Sequence, residues 1–134
     1  MRKRLLILFV LAATAALGSE AARISPVDAA AMVFKGDAVL VDVREASEWT
    51  STGVAAPALL LAKSDFDRAQ IVWAPFLADF DKSKTLILYC RSGRRSGLLA
   101  ATLAARGYKA LNGGGLAGWE RAGLPVRKVA PASK

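Results

Sequence analysis

The sequence contains no histidine, and cysteine occurs once in 134 residues. Each absence removes a class of chemistry. Without an imidazole, neither a Ser-His-Asp nor a Cys-His arrangement can supply its general base. With a single thiol an internal disulfide is impossible, and the Cys-rich and His-rich zinc sites are excluded with it. Aromatic residues make up only 7% of the chain, and they are not interleaved with the scattered lysines and arginines as a nucleic-acid surface would require. The lone thiol, Cys90, is a liability in an oxidising compartment unless it is buried or used. Its neighbours therefore decide its meaning.

What the chain does have is apolar bulk, 54% hydrophobic against 22% charged residues, which is the balance of a packed protein and not of a disordered one. Its length suffices for one domain and one core. At the front, Arg2, Lys3 and Arg4 precede an apolar run from Leu5 to Leu17, shorter than the roughly 20 residues a membrane span needs. Ala16-Leu17-Gly18 and Ser19-Glu20-Ala21 both suit the position before a cut. Residues 1–21 are therefore expected to be a cleaved signal peptide, with an uncleaved amphipathic anchor as the alternative. Export follows, to the periplasm in a Gram-negative cell, without stable membrane insertion of the cleaved product. The mature domain is placed at 22–128 and a flexible tail at 129–134. The whole chain carries a net charge of +8, and a cut after Ala21 removes three basic groups and one acidic one to leave +6. A charge of this sign and size favours solubility and the steering of anions.

Past residue 21, strand and helix patterns alternate. Ser25-Pro26-Val27-Asp28 reads as a helix start with Ser25 as N-cap and Asp28 in the capping-box slot, stopping at Gly36. Val39 to Val43 is a short β-branched run typical of a strand covered on both faces. A short helix follows over Glu45 to Thr50, then an apolar run at Ala58 to Leu61. The spacing over Asp65 to Phe80 predicts a helix, broken before Pro75. Thr85 to Tyr89 is the clearest buried strand, and Ser96 to Arg106 the clearest helix. Lys109 to Leu111 is predicted as strand, Asn112 to Gly115 as turn, and Leu116 to Ala122 as a last helix. This order implies an α/β layer fold with a mainly parallel sheet and helices on both faces. Reactive loops in such folds lie beyond the carboxyl ends of the strands, which is where Cys90 stands.

The segment Cys90-Arg91-Ser92-Gly93-Arg94-Arg95-Ser96 joins strand to helix, so its N–H groups can curl round the sulfur and the helix adds its positive end. Gly93 supplies the backbone freedom a tight ring of amides needs. Three arginines strengthen the field, and each guanidinium offers a fork of donors to an oxyanion. Loop dipoles and guanidinium groups are thus expected to hold Cys90 as a thiolate without a neighbouring base. Most lone cysteines are small buried hydrophobes, but such a residue is not normally followed by Arg, Ser, Gly, Arg and Arg. Tyr89, Ser92 and Ser96 are all candidate donors to the sulfur or to bound oxygens.

Four stretches together resemble the rhodanese family over about Ile24 to Val126. They are Val39 to Arg44 with Glu45 and Glu48-Trp49, the loop Cys90 to Ser96, the helix Gly97 to Gly107, and Leu111 to Gly114 with Gly118-Trp119 and Ala122 to Val126. The resemblance implies a rhodanese-like three-layer fold and a sulfurtransferase. Cys90 would take the outer sulfur of thiosulfate or a similar small anionic donor as a persulfide, and pass it to cyanide or a thiol. Arg91 to Ser96 would bind the donor and the persulfide, with no cofactor and no metal. Asp42 and Arg44 match the family's Asp-x-Arg stretch and are read as loop-bracing residues, and Trp49 and Trp119 as packing residues. A monomer is expected.

Where many relatives carry Gly-His-Ile-Pro-Gly-Ala, this chain has Gly53-Val54-Ala55-Ala56-Pro57-Ala58. The missing histidine is not the family's nucleophile. Mercaptopyruvate is a second candidate donor. Two rival functions share the features above: a persulfide carrier that docks a partner without efficient turnover, and a phosphatase or arsenate reductase. A Cys-x5-Arg phosphatase loop would need arginine where Ser96 stands.

Overall fold

The residues of 38–42 and 85–90 are almost all apolar, so two strands made from them must be covered on both faces. The computed structural model, which describes residues 20–133, covers them with helices on each side. In chain order the elements are α1 (Pro26–Phe34), β1 (Ala38–Asp42), α2 (Ala46–Thr52), β2 (Val54–Ala55), β3 (Leu59–Leu60), α3 (Lys63–Phe66), α4 (Trp73–Asp79), β4 (Thr85–Cys90), α5 (Arg94–Ala105), β5 (Lys109–Gly115), α6 (Leu116–Arg121) and β6 (Val126–Arg127). The central sheet runs β3-β1-β4-β5 with every neighbouring pair parallel. Its interior strand β4 ends on Cys90, set opposite Gly115 of β5, one register step beyond the Asp42–Tyr89 pair.

Strand alternation sorts the core into two halves. Val41, Val43, Leu86, Leu88 and Cys90 pack with Phe66, Trp73, Leu99 and Leu103 beneath α3, α4 and α5. On the other face, Leu40, Ile87 and Tyr89 pack with Ala29 and Ala30 of α1 and Leu116 and Trp119 of α6. Trp73 is wholly buried and meets Phe66 edge-on at 5.6 Å, while its indole N–H donates to the Ala62 carbonyl. Truncation of such a residue to alanine costs about 3–5 kcal/mol. The odd and even positions of one strand therefore serve different layers, and Cys90 belongs to the α5 side.

Several boundaries differ from the sequence pattern, each for a local reason. The expected helix over 65–80 is two, α3 and α4, because the Asp65 carboxylate accepts the backbone N–H groups of Ile71, Val72 and Trp73 and starts a second helix. Pro75 lies inside the first turn of α4 and breaks nothing, since first-turn N–H groups have no partner within the helix. The helix placed at Ser96 to Arg106 starts two residues earlier, at Arg94, and ends at Ala105. The turn placed at Asn112 to Gly115 is instead a continuation of β5, whose glycines let it run close beside the Cys90 loop. The antiparallel pair of β2 and β6 was not expected, two-residue strands being too short to show a period.

The N-cap at Ser25 is formed, its hydroxyl accepting the Asp28 N–H. Upstream of it, Ala22 and Ile24 exchange backbone hydrogen bonds with Asn112 along the outer edge of β5. Nearly all of the expected signal peptide, residues 1–19, lies outside the described residues. Residues 128–133 form neither helix nor strand, and no described helix is long and apolar enough to cross a membrane.

Candidate active site

The loop after β4 is three residues long, Arg91-Ser92-Gly93, before α5 begins. Gly93 has φ 90° and ψ −2°, a left-handed conformation that side chains resist. This turns its N–H back onto the sulfur, 3.1 Å from Cys90 Sγ. Ser96, expected where the loop passes into the helix, is a buried residue of the first turn of α5. Its Oγ lies 3.3 Å from Cys90 Sγ and 2.9 Å from Asn112 Oδ1. Burial pushes the Cys90 thiol up, but the Ser96 hydroxyl and the N–H groups of Ser96, Ser92 and Gly93 outweigh it and hold the thiol below its ordinary value. Cys90 is itself 0% exposed, so the sulfur sits under its loop and not on the surface. It is not, however, enclosed by hydrocarbon alone, because the loop amides face it.

The arginines divide. Arg95 reaches across to α2 and grips both carboxylate oxygens of Glu48, at 2.5 and 2.9 Å. The Arg95 guanidinium beside Glu48 in turn holds that carboxyl below its usual range. A fork expected to bind a donor is thus engaged in tying α2 to α5. Arg91 and Arg94 are exposed, and among the described residues neither is ion-paired. Ser92 is exposed as well, its hydroxyl accepting the Arg94 N–H at 3.4 Å.

Asp42 and Arg44 form a buried pair at the end of β1. The guanidinium donates to both Asp42 oxygens, to Thr52 Oγ1 at 2.8 Å and to the Gly53 carbonyl at 2.8 Å. Asp42 also accepts the Trp49 indole N–H and the Arg44 backbone N–H, both at 3.0 Å. One carboxylate so gathers β1, α2 and the turn into β2 beside the site. Trp119 donates to the Pro125 carbonyl, which fixes the approach to β6. Tyr89 points to the opposite face of the sheet from Cys90, and its hydroxyl accepts the Ala55 N–H. Burial and the nearby Asp42 raise its pKa, and it makes no bond to the sulfur.

Three positioning residues escaped the sequence pattern. Asn112 is buried, donates to the Gly93 carbonyl at 2.9 Å, and accepts from the Ser96 hydroxyl and the Gly114 N–H. Gly115 approaches the loop so closely that any Cβ there would collide with the Arg91 carbonyl. Glu48 holds Arg95. Asn112 and Gly115 belong to a run that reads as a turn signal, and Glu48 to one that reads as a helix surface, so neither pattern discloses a partner distant in sequence. Two clefts flank Arg91. One, of about 390 Å³, includes Ser47, Glu48, Thr52 and Glu120. The other, of about 430 Å³, includes Arg23, Ser92, Gly114 and Arg121. Among the described residues no three His, Cys, Asp or Glu side chains gather as a metal site would require.

Comparison with known proteins agrees with this geometry. Residues 25–122 match the model of the rhodanese-like domain family. The chain is 32% identical over 105 residues to the thiosulfate sulfurtransferase GlpE of Actinobacillus succinogenes, covering 77% of this chain and 87% of that protein. Among solved structures, the polysulfide-sulfur transferase homodimer of Wolinella succinogenes superposes with a TM-score of 0.65 at 26% identity, covering 82% of this chain and 80% of that one. A Rhodopseudomonas palustris protein of unknown function, described as a possible tyrosine phosphatase, gives 0.65 at 28% identity over 80% of this chain and 85% of that one. With nearly three quarters of its length matched to one family model and its sulfur cradled at the end of an interior strand, the chain belongs to the rhodanese-like domain family and is of the sulfurtransferase type.

Proposed function

We propose that this protein is a thiosulfate sulfurtransferase that carries sulfur on Cys90. The observation that carries the reading is the set of donors converging on one thiol, the Gly93 N–H at 3.1 Å and the Ser96 hydroxyl at 3.3 Å, which together favour sulfur as an anion. The thiolate attacks the outer sulfur of thiosulfate, the donor's S–S bond breaks, and its electron pair leaves with sulfite. Cys90 then holds the sulfur as a persulfide anion, stabilised by the same N–H groups. Cyanide or a thiol attacks that outer sulfur in the second half-reaction, and the pair returns to Cys90 Sγ. Such displacement in two steps produces ping-pong kinetics.

As the loop stands Cys90 is 0% exposed, so a donor reaches the sulfur only when the groups packed around it give way. Arg91 and Arg94 are free to meet the sulfonate end of the donor, while Arg95 acts through Glu48 by holding the loop. Asp42 and Arg44 brace the site from below. A phosphatase of the Cys-x5-Arg kind lacks support because Ser96, at the arginine position, is buried against the sulfur.

The reading includes export, with a signal over residues 1–21, a domain over 22–128 and a tail over 129–134, acting as a monomer. Basic residues before a short apolar run support that leader. Mass spectrometry after thiosulfate treatment should find one added sulfur atom on the Cys90 peptide, and Cys90→Ser should abolish both the adduct and thiocyanate formation. Loading without saturable turnover would favour the carrier role, and no loading would sink the proposal. N-terminal sequencing of protein recovered from cell fractions tests the leader.

A further inference from the structure

Resting on that reading, we infer that the cleft between Arg23, Arg91 and Arg121 binds the sulfur acceptor, and that this acceptor is a small organic thiol bearing at least two carboxylates. The three arginines that line it come from three separate segments: the strand-like residues before α1, the Cys90 loop and the end of α6. All three residues are exposed, and none is ion-paired among the described residues. Like charges brought to one rim by folding repel each other, so the arrangement is most stable with anions between them.

Shape and place agree with charge. The cleft, about 430 Å³, is in the size range of sites for small organic molecules and is roomy for a single inorganic anion. Its floor is nearly bare of side chains. A Cβ added at Gly114 would meet nothing within 4 Å, and one at Gly118 would meet only Pro26 Cγ at 3.6 Å and Arg121 Nη2 at 3.9 Å. Arg91 and Ser92 of the Cys90 loop form one wall, together with Gly115, which is paired with Cys90 across the sheet, so an occupant lies beside the loop that follows the sulfur. The cleft across Arg91 is of mixed charge, with Glu48 and Glu120 beside Arg44 and Arg91, and offers a dicarboxylate no comparable excess of cations. Transfer balances simply: the acceptor thiol attacks the outer sulfur of the Cys90 persulfide anion, its proton passes to that sulfur, the S–S bond breaks, the electron pair of that bond returns to Cys90 Sγ, and the acceptor leaves as its own persulfide.

Glutathione, with two carboxylates flanking a thiol, is the probe, and its diethyl ester, which lacks both carboxylates, is the control. The ratio of kcat/KM for the acid to that for the ester is measured in each protein, and is independent of the fraction correctly folded. It should exceed one in the wild type and fall about three- to five-fold in each of Arg23→Gln and Arg121→Gln. Binding of S-methylglutathione, which has no thiol, is measured by calorimetry alongside and should weaken by the same factor, whether or not the protein turns over. A ratio near one in the wild type, or one unmoved by both substitutions, would overturn the inference. So would a strong preference for an acidic protein thiol with no discrimination between glutathione and its ester. Failure of Cys90 to load from thiosulfate would count against the proposed function, and the calorimetric arm would still decide whether the cleft binds a dicarboxylate.

Discussion

Replacing Ser96 by alanine should slow alkylation of Cys90 about ten-fold at pH values well below the ordinary thiol range. The Ser96 hydroxyl, 3.3 Å from the sulfur, is foremost among the groups that favour the thiolate. A hydrogen bond to a charged group is worth about 1.5–3 kcal/mol. The low end applies here, because the contact is long and the single hydroxyl proton is shared with Asn112 Oδ1 at 2.9 Å. About 1.5 kcal/mol corresponds to roughly a ten-fold smaller thiolate population. The Gly93 amide, at 3.1 Å, remains and keeps part of the effect. The fold should tolerate the change, since Asn112 Oδ1 still accepts the Gly114 N–H. The assay is the rate of iodoacetamide alkylation against pH for both proteins. Because the folded thiol lies below its ordinary value, the linked stability is fully present above the ordinary thiol range and is lost as pH falls through the folded value. The stability gap between wild type and variant should therefore close toward acid pH. A wild-type inflection at or above about 8.5, the value of a free thiol, would refute the thiolate argument. Identical profiles for the two proteins would show that the hydroxyl serves Asn112 and not the sulfur.

Asp42→Asn leaves the Arg44 guanidinium, 2% exposed, without its counter-ion. Breaking such a pair costs about 3–5 kcal/mol, a large share of the roughly 5–15 kcal/mol typical of a domain. Urea unfolding should report it, and a loss below about 1 kcal/mol would mean that Thr52, Gly53 and water compensate. Gly115→Ala should cost about 1–3 kcal/mol by overpacking and should impair persulfide loading more than stability, because the added methyl pushes on the Arg91 carbonyl. Loading equal to wild type at equal melting temperature would show that the loop yields without consequence for the sulfur.

Much of the fold follows from residue order alone, and the site divides by how its residues are recruited. The run Thr85 to Cys90 carries no polar face, so burial of an interior strand is dictated locally, and the reactive position at its end follows from parallel-sheet geometry. Gly93 and the arginines mark a loop that favours an anion. α5 starts two residues before the apolar pattern does, because a single left-handed glycine, φ 90°, completes the turn that otherwise needs a longer connection. The split between α3 and α4 rests on one carboxylate, Asp65, accepting three N–H groups six to eight residues away, a contact with no period.

What only the tertiary structure decided is which charges are spent and which remain free. Arg94 and Arg95 are neighbours of one residue type, yet Arg95 is paired with Glu48 from 47 positions earlier and Arg94 is not ion-paired among the described residues. Asn112 reads as a turn residue but ties Gly93 and Ser96 into one network from the adjacent strand. Local chemistry sets the kind of group that a position offers. Partners distant along the chain are brought within hydrogen-bond range by packing, and that choice is absent from any short stretch of residues.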